Sequence, residues 1–285
     1  MAAKEAKYVL YEQTNEIVKV TINRPAQLNA ISRRVYAELD AAFARAEEDD
    51  GVKVIIVAGA GEHFGAGHDL GSAEMQAELG EYPRDMTLAG RVKAMDRGVF
   101  WRMHDRWRNV GKPTIAMIQG YCIMGSWMLA SACDLAVASD DAKFADRSVR
   151  WGSVHHEYPT HFFELGVKKA KEYLWTGDFI DAATAEKLGL VNRVVPRAEL
   201  ETATRWLAER IALNDLLSLK LSKMSVNQAA DIMGVSAAVR ASGNFWVMAS
   251  DPAVRRPMTG NSRVNWSKEQ NERFDAQEKS SKRPW

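Results

Sequence analysis

Two short stretches combine residue types that can grip a carbonyl oxygen. Residues 61–70, GEHFGAGHDL, follow the apolar run VIIVA and set Gly65, Ala66 and Gly67 ahead of a polar turn. Residues 115–134, IAMIQGYCIMGSWMLASACD, repeat the arrangement: an apolar strand, a glycine turn at Gly120, then Gly125 opening a helix. A helix start carries amides without intrahelical acceptors and a partial positive charge, so Gly125 suits a developing anion. Two such turns can supply two backbone N–H donors to one oxygen. Either turn alone is weak, because most glycine turns merely accommodate positive φ.

The flanking sequence reads as the elements that would position these turns. Residues 17–22 alternate apolar and polar side chains before Asn23-Arg24-Pro25, which predicts a strand ending in a turn. Ser32 caps a predicted helix through residue 50, with Val35, Leu39, Phe43 and Ala46 on one face; Gly51 stops it, and a strand over 52–58 follows. Residues 71–110 are polar at first and then amphipathic, a segment that the family resemblance described below would make a variable lid. Its Phe100, Trp101 and Trp107 are read first as core packing and second as the wall of a pocket. After Pro196 the pattern is helical over 200–213, 215–228 and 229–250. The final 30 residues, rich in Arg, Asn, Lys and Ser, read as an extended tail.

Composition narrows the function classes. An apolar fraction of 46% and a charged fraction of 26% over 285 residues fit a globular protein with a substantial core. With 38 basic against 37 acidic residues, nothing suggests a nucleic-acid partner. The start, MAAKEAKYVLYEQ, lacks an apolar core of signal-peptide length and no run is long enough for a membrane helix, which points to a cytoplasmic protein. Cys122 and Cys133 form no CxxC pair and read as buried thiols.

Taken together and in order, the blocks RPAQLNAIS (24–32), VIIVAGAGEHFGAGHDL (54–70), KPTIAMIQGYCIMG (112–125), CDLAVASDDAKFAD (133–146) and TGDFIDAATAEKLGLVNRVVP (176–196) resemble the crotonase superfamily, the enoyl-CoA hydratase/isomerase family. The likeness spans nearly everything from about residue 8 to about residue 221. It implies an α/β fold: a crotonase-like spiral of ββα units (1–196) holding an acyl-CoA site, a C-terminal helical trimerisation region (197–255) and the tail (256–285). It also implies an acyl-CoA substrate, with coenzyme A present as part of the thioester and no tightly bound cofactor, and a homotrimer or dimer of trimers.

Carried over by resemblance, the two donors are the amides of His68 and Gly125. Gly65, Ala66 and Gly67 would lie along the adenine and pantetheine arm of CoA, with Arg24, Gln27 and Ala30 as further contacts; Arg24 reads equally as a solvated turn residue. The His68 imidazole faces either the pocket or solvent. A hydratase of this family uses two glutamates, one to accept a proton from water and one to donate to carbon. Those positions carry Met128 and Ser148, neither of which does unassisted acid–base work near neutral pH. The segment Val154-His155-His156-Glu157-Tyr158 falls where relatives have a loop beside the reacting carbons, so His155, His156 or Glu157 is the expected substitute; a surface cluster is the plainer reading. Asp146 would orient such a histidine or serve only as a turn or ion-pair residue, and Asp69 would brace the first glycine turn. Three histidines, His155, His156 and His161, lack a fixed ligand spacing, so no metal site is assigned. The expected function is acyl-CoA processing, by isomerisation, thioester or retro-Claisen cleavage, or atypical hydration. The alternative is a catalytically silent acyl-CoA-binding or scaffold homologue.

Overall fold

The computed structural model describes residues 7–81, 87, 89–90, 99–154, 158–250 and 263–280. Strands β1 (Val9–Thr14) and β2 (Ile17–Ile22) form an antiparallel hairpin turned at Asn15, whose φ is 53°. Strands β3 (Val54–Gly59), β4 (Thr114–Ile118), β6 (Leu135–Ser139) and β9 (Arg193–Val195) extend it in parallel, giving the order β1-β2-β3-β4-β6-β9. A small second sheet holds β5 (Tyr121–Ile123), β7 (Lys143–Ala145) and β8 (Ile180–Asp181) in the order β5-β7-β8. After β4 and β6 the chain turns tightly from the large sheet into the small one, through β5 and β7, and returns through a helix. This is the α/β spiral of ββα passes expected from the sequence.

Both faces of the large sheet are covered, which explains its nearly unbroken apolar strands. On one face Val18, Val20, Ile22, Ile55 and Val57 pack with Val35, Leu39 and Phe43 of α1 (Arg33–Glu48). On the other, Ile17, Val54, Ile56, Ile115 and Met117 meet Leu200, Ala208 and Ala212 of α7 (Leu200–Ala212). The period-2 alternation of β2 and β3 sorts their side chains between the two layers.

Local signals held with small shifts. Ser32 caps α1 by accepting from the Val35 amide at 3.4 Å. The helix stops at Glu48 rather than residue 50: Asp49 leaves the helical region and its side chain accepts from the Gly51 amide, while Lys112 Nζ donates to the carbonyls of Ala46 and Asp49. The following strand starts at Val54, two residues later than expected.

The lid segment contributes α2 (Ala73–Glu81) and α3 (Val99–Asn109). Trp107 of α3 is buried in the main core; the side chains of Phe100 and Trp101 lie outside the described part. The C-terminal helices are α8 (Leu216–Ile232) and α9 (Val235–Ser250), and Arg108 of α3 pins α8 through Asp231 at 3.0 Å and the Asn227 carbonyl at 2.9 Å. The tail differs from the extended segment expected. Residues 263–280 form α10 (Arg263–Ser280), which gains a partner surface: Phe274 lies under the Arg150 guanidinium at 3.7 Å and Asn271 accepts from Arg147 at 2.6 Å. No helix among the described residues is long and apolar enough to cross a membrane.

Candidate active site

The first glycine turn is stitched to two neighbours in succession. Gly65 donates to the Tyr121 carbonyl at 2.8 Å and accepts from the Ile123 amide at 3.0 Å, which fixes it beside β5. The chain then runs along residues 28–31: Ala66 donates to the Leu28 carbonyl, Ile31 to the Gly67 carbonyl at 2.7 Å and Asp69 to the Ile31 carbonyl at 3.0 Å. Ile31 and His68 thus form a parallel bridge in which Ile31 bonds the residues on either side of His68. In that pattern the His68 amide is turned away from residues 28–31.

Residues 24–30 exist in this shape because of two side chains. Leu28 and Asn29 take left-handed φ values of 51° and 54°. Asn29 is buried; its Oδ1 accepts from the Arg24 amide, and its Nδ2 donates to the carbonyls of Ala60 (2.8 Å) and His63 (2.6 Å). Arg24 does not face solvent. Its guanidinium donates to the Ala30 carbonyl at 2.6 Å and lies 2.9 Å from Asp69, with side-chain exposures of 1% and 4%. Asp69 also accepts from the Gly71 and Ser72 amides and the Ser72 hydroxyl. Asp69 is the brace the sequence suggested, and Arg24, read there as a CoA contact or a solvated turn residue, is its buried partner. Gln27 and Ala30 are half-buried next to the exposed Leu28, and Ala66 is half-buried across from them.

The second turn is strained. Met124, between β5 and the next helix, has φ 48° and ψ −117°, an arrangement a side-chain-bearing residue adopts at a cost of roughly 1–3 kcal/mol. Its amide donates to the Ala145 carbonyl and its carbonyl accepts from Met128, the first bond of α4 (Gly125–Ala132). Gly125 therefore occupies the first helical position, where an amide has no acceptor within the helix.

The two turns touch through their backbones. A Cβ added to Gly67, whose φ is 89°, would lie 2.7 Å from the Ile123 carbonyl oxygen and 3.3 Å from the Gly125 amide nitrogen. Gly67 also donates to Ser126 Oγ at 3.0 Å, and that hydroxyl sits against Gly65, where no side chain fits. Ser126 is thus a clasp between the turns, and nothing in the sequence marked it apart from its place after Gly125.

The His68 imidazole points inward. A Cβ on Gly125 would meet Cε1 at 2.7 Å, Nε2 at 3.0 Å and Nδ1 at 3.1 Å. Behind the ring stands an aromatic wall. His68 stacks on Tyr36 (6.1 Å between centroids, 24° between planes) and Tyr36 on Trp107 (5.8 Å, 12°). His104 of α3 meets Tyr36 edge-on and stacks on Tyr158 at 5.5 Å. Burial drives the Tyr158 phenol well above its usual range, so it is protonated at any working pH. Tyr36 and His104 were missed in the sequence, where Tyr36 reads as one more apolar position of α1.

The other side of α4 is closed by a different group. Met128 and Ser148 are buried, and the Ser148 amide donates to Asp146 Oδ1 at 2.9 Å. The other Asp146 oxygen lies 3.5 Å from His161 Nε2, at the start of α5 (His161–Thr176). His161 packs edge-on against Trp127, and Trp127 Nε1 donates to Glu164 at 3.2 Å. Asp146 thus caps the turn at Ser148 and lies beside a buried histidine. His155, His156 and Glu157 lie outside the described residues. Among the described residues no cluster of His, Cys, Asp or Glu is arranged to hold a metal. Burial pushes the Cys133 thiol up to about 12 and Cys122 well above its ordinary value, which suppresses thiolate chemistry.

Known proteins resemble this chain over most of its length. A family model described as enoyl-CoA hydratase/isomerase matches residues 12–258. A putative enoyl-CoA hydratase of Mycobacterium tuberculosis is 42% identical in an alignment that covers 83% of this chain and 78% of that protein. The crystal structure of a probable enoyl-CoA hydratase from Mycobacterium smegmatis, 42% identical, matches with a TM-score of 0.78 over 85% of this chain and 94% of its own. An enoyl-CoA hydratase/isomerase from Xanthobacter autotrophicus Py2, 28% identical, matches with a TM-score of 0.82 over 95% of this chain and 98% of its own.

Proposed function

The chain belongs to the enoyl-CoA hydratase/isomerase family, and on that premise we propose that it grips an acyl-CoA thioester by its carbonyl oxygen, between the amides of His68 and Gly125. The observation that supports this reading is the close approach of the two glycine turns: a Cβ on Gly67 would lie 3.3 Å from the Gly125 amide nitrogen. As the α-proton leaves, or as a nucleophile adds to the carbonyl carbon, negative charge collects on that oxygen. The Gly125 donor and the start of α4 stabilise it. Residues 65–67 and the half-buried strip of Gln27 and Ala30 then border the CoA arm, with Arg24 acting from below through Asp69.

The acid–base chemistry is not that of a glutamate pair. Met128 and Ser148 stand at the two positions where the resemblance places those acids, and both are buried. Histidine is the substitute, and the segment 155–157 is one source of it. The protein is proposed to act in the cytoplasm as a homotrimer or dimer of trimers.

Mass-spectrometric turnover of enoyl-, 3-oxoacyl- and cyclic β-diketone-CoA thioesters tests the reading. Conversion of one class, lost in a His155→Ala/His156→Ala double variant, supports an enzyme whose base lies in that segment. Saturable binding without conversion of any ester favours the second reading, a silent acyl-CoA-binding homologue, for which the missing glutamates speak.

A further inference from the structure

We propose that the His68 side chain, and not only its amide, works in the reaction: its imidazole is the group that takes and returns the α-proton, and the reaction it suits is a double-bond shift in an enoyl-CoA. This rests on the donor assignment above. If the thioester oxygen sits between the His68 and Gly125 amides, its α-carbon is two bonds from that oxygen. The His68 ring is anchored on the residue that supplies one donor and crosses to the other, presenting its Nδ1–Cε1–Nε2 edge within 3.1 Å of the Cβ position of Gly125. A base has to come within hydrogen-bonding distance of the proton it removes. The atoms nearest a Cβ built on Gly125 all belong to the His68 ring. Asp69, the next residue, is committed to Arg24 and to the Gly71 and Ser72 amides. The neighbouring rings hold His68 in place: Tyr36 lies behind it, and Trp107 and His104 fix Tyr36.

The proton balance of a single imidazole closes for a double-bond shift. In a 3-enoyl-CoA the α-C–H bond breaks, its proton passes to an imidazole nitrogen, and the electron pair spreads to the carbonyl oxygen held by the two amides. Returning that proton to the γ-carbon gives the 2-enoyl-CoA and restores the neutral ring. No water, metal or redox partner enters. Hydration of a 2-enoyl-CoA through the same ring also balances, the proton passing from water to the ring and on to the α-carbon, so the two reactions are separated by the assay below.

The test is incubation of the full-length protein with 3-hexenoyl-CoA in D2O, following 2-hexenoyl-CoA and its deuterium content, for wild type, His68→Ala and His68→Gln. Binding of hexanoyl-CoA is measured calorimetrically alongside. Both variants keep the backbone amide, so the expected result is a loss in kcat of about a hundred-fold or more, with KM and hexanoyl-CoA binding within about three-fold. Wild-type rates in either variant overturn the proposal, as does a loss confined to His155→Ala/His156→Ala. A loss of kcat accompanied by loss of hexanoyl-CoA binding makes the ring structural and overturns it as well. If wild type neither binds hexanoyl-CoA nor converts any ester, the donor assignment itself fails. If wild type binds and hydrates 2-hexenoyl-CoA without shifting 3-hexenoyl-CoA, only the present proposal does.

Discussion

His161 Nε2 stands 3.5 Å from an Asp146 oxygen, and the two side chains are 4% and 1% exposed. One partner starts α5 and the other follows β7, so this pair ties together the ends of the segment that contains residues 155–157. Removing one member of a buried pair leaves the other desolvated, a loss of several kcal/mol in comparable cases. Asp146→Ala, which also strips the acceptor from the Ser148 amide, is expected to destabilise by about 2–4 kcal/mol and His161→Leu by less. In urea unfolding, the double variant should lose less than the sum of the singles; additivity within about 0.5 kcal/mol would show no coupling.

Asp69 makes a pH-dependent contribution with a definite sign. Burial pushes its carboxyl up, but hydrogen bonds from the Ser72 hydroxyl and amide, Arg24 and the Gly71 amide outweigh it and leave the group below its ordinary value. A carboxylate depressed in the folded state adds stability that is present above its unfolded pKa of about 4 and lost as pH falls through the lower folded value. Asp69→Asn should therefore lie below wild type in thermal stability at pH 7, with the gap closing towards pH 3. A gap that is unchanged between those pH values contradicts the assignment.

Gly125 offers a paired substitution. Alanine keeps the amide but places a Cβ 2.7 Å from His68 Cε1; proline adds the same carbon and removes the amide hydrogen. Proline is tolerated at the first position of a helix, so α4 should survive. The further fall in turnover from Gly125→Ala to Gly125→Pro isolates the donor and is expected to be about a hundred- to a thousand-fold. Equal rates in two folded variants would remove Gly125 from the oxyanion role.

Helix α10 is held by the Arg150 guanidinium over Phe274 and by Asn271. Arg150 also donates to the Thr176 carbonyl and to Asp178, each at 2.7 Å. Phe274→Ala is expected to cost about 0.5–2 kcal/mol and to raise amide exchange across residues 148–151. Unchanged exchange there would mean that the helix rests on this turn without supporting it.

Leu213, Leu217, Leu221 and Met224 expose an apolar stripe along and just before α8, which buries none of its residues within the chain. A trimer or dimer of trimers would cover it. Leu217→Glu with Leu221→Glu should reduce the mass measured by light scattering to that of a smaller species. A wild-type protein already monomeric at micromolar concentration would dismiss the expectation.

Sequence periodicity located β2, α1 and the C-terminal helices to within a few residues, because each carries an apolar face that one packing layer requires. The glycine turns were legible for a similar reason, since Gly67 and Gly125 sit where main chain meets main chain. Arg24 was not, because an arginine beside a proline turn has the same local sequence whether it faces solvent or a carboxylate 45 residues away. Tyr36, His104 and Ser126 were hidden by their surroundings. Each occupies an ordinary core or helix position, and its place at the site depends on elements far apart in the chain. The α10 helix lacks an apolar face of its own and becomes visible only with Arg147 and Arg150 in place.

The contact between Gly67 and Gly125 separates two kinds of change this protein can accept. If the proposed hold on the thioester is right, it is made by main chain and would tolerate exchange of side chains that do not shape the two turns. A library that spares Gly65, Gly67, Gly125 and Ser126 but varies Tyr36, His68, His104, Met128 and Ser148 would explore different reactions on one retained substrate handle. Glutamates at Met128 and Ser148 together are the natural first pair to install on it.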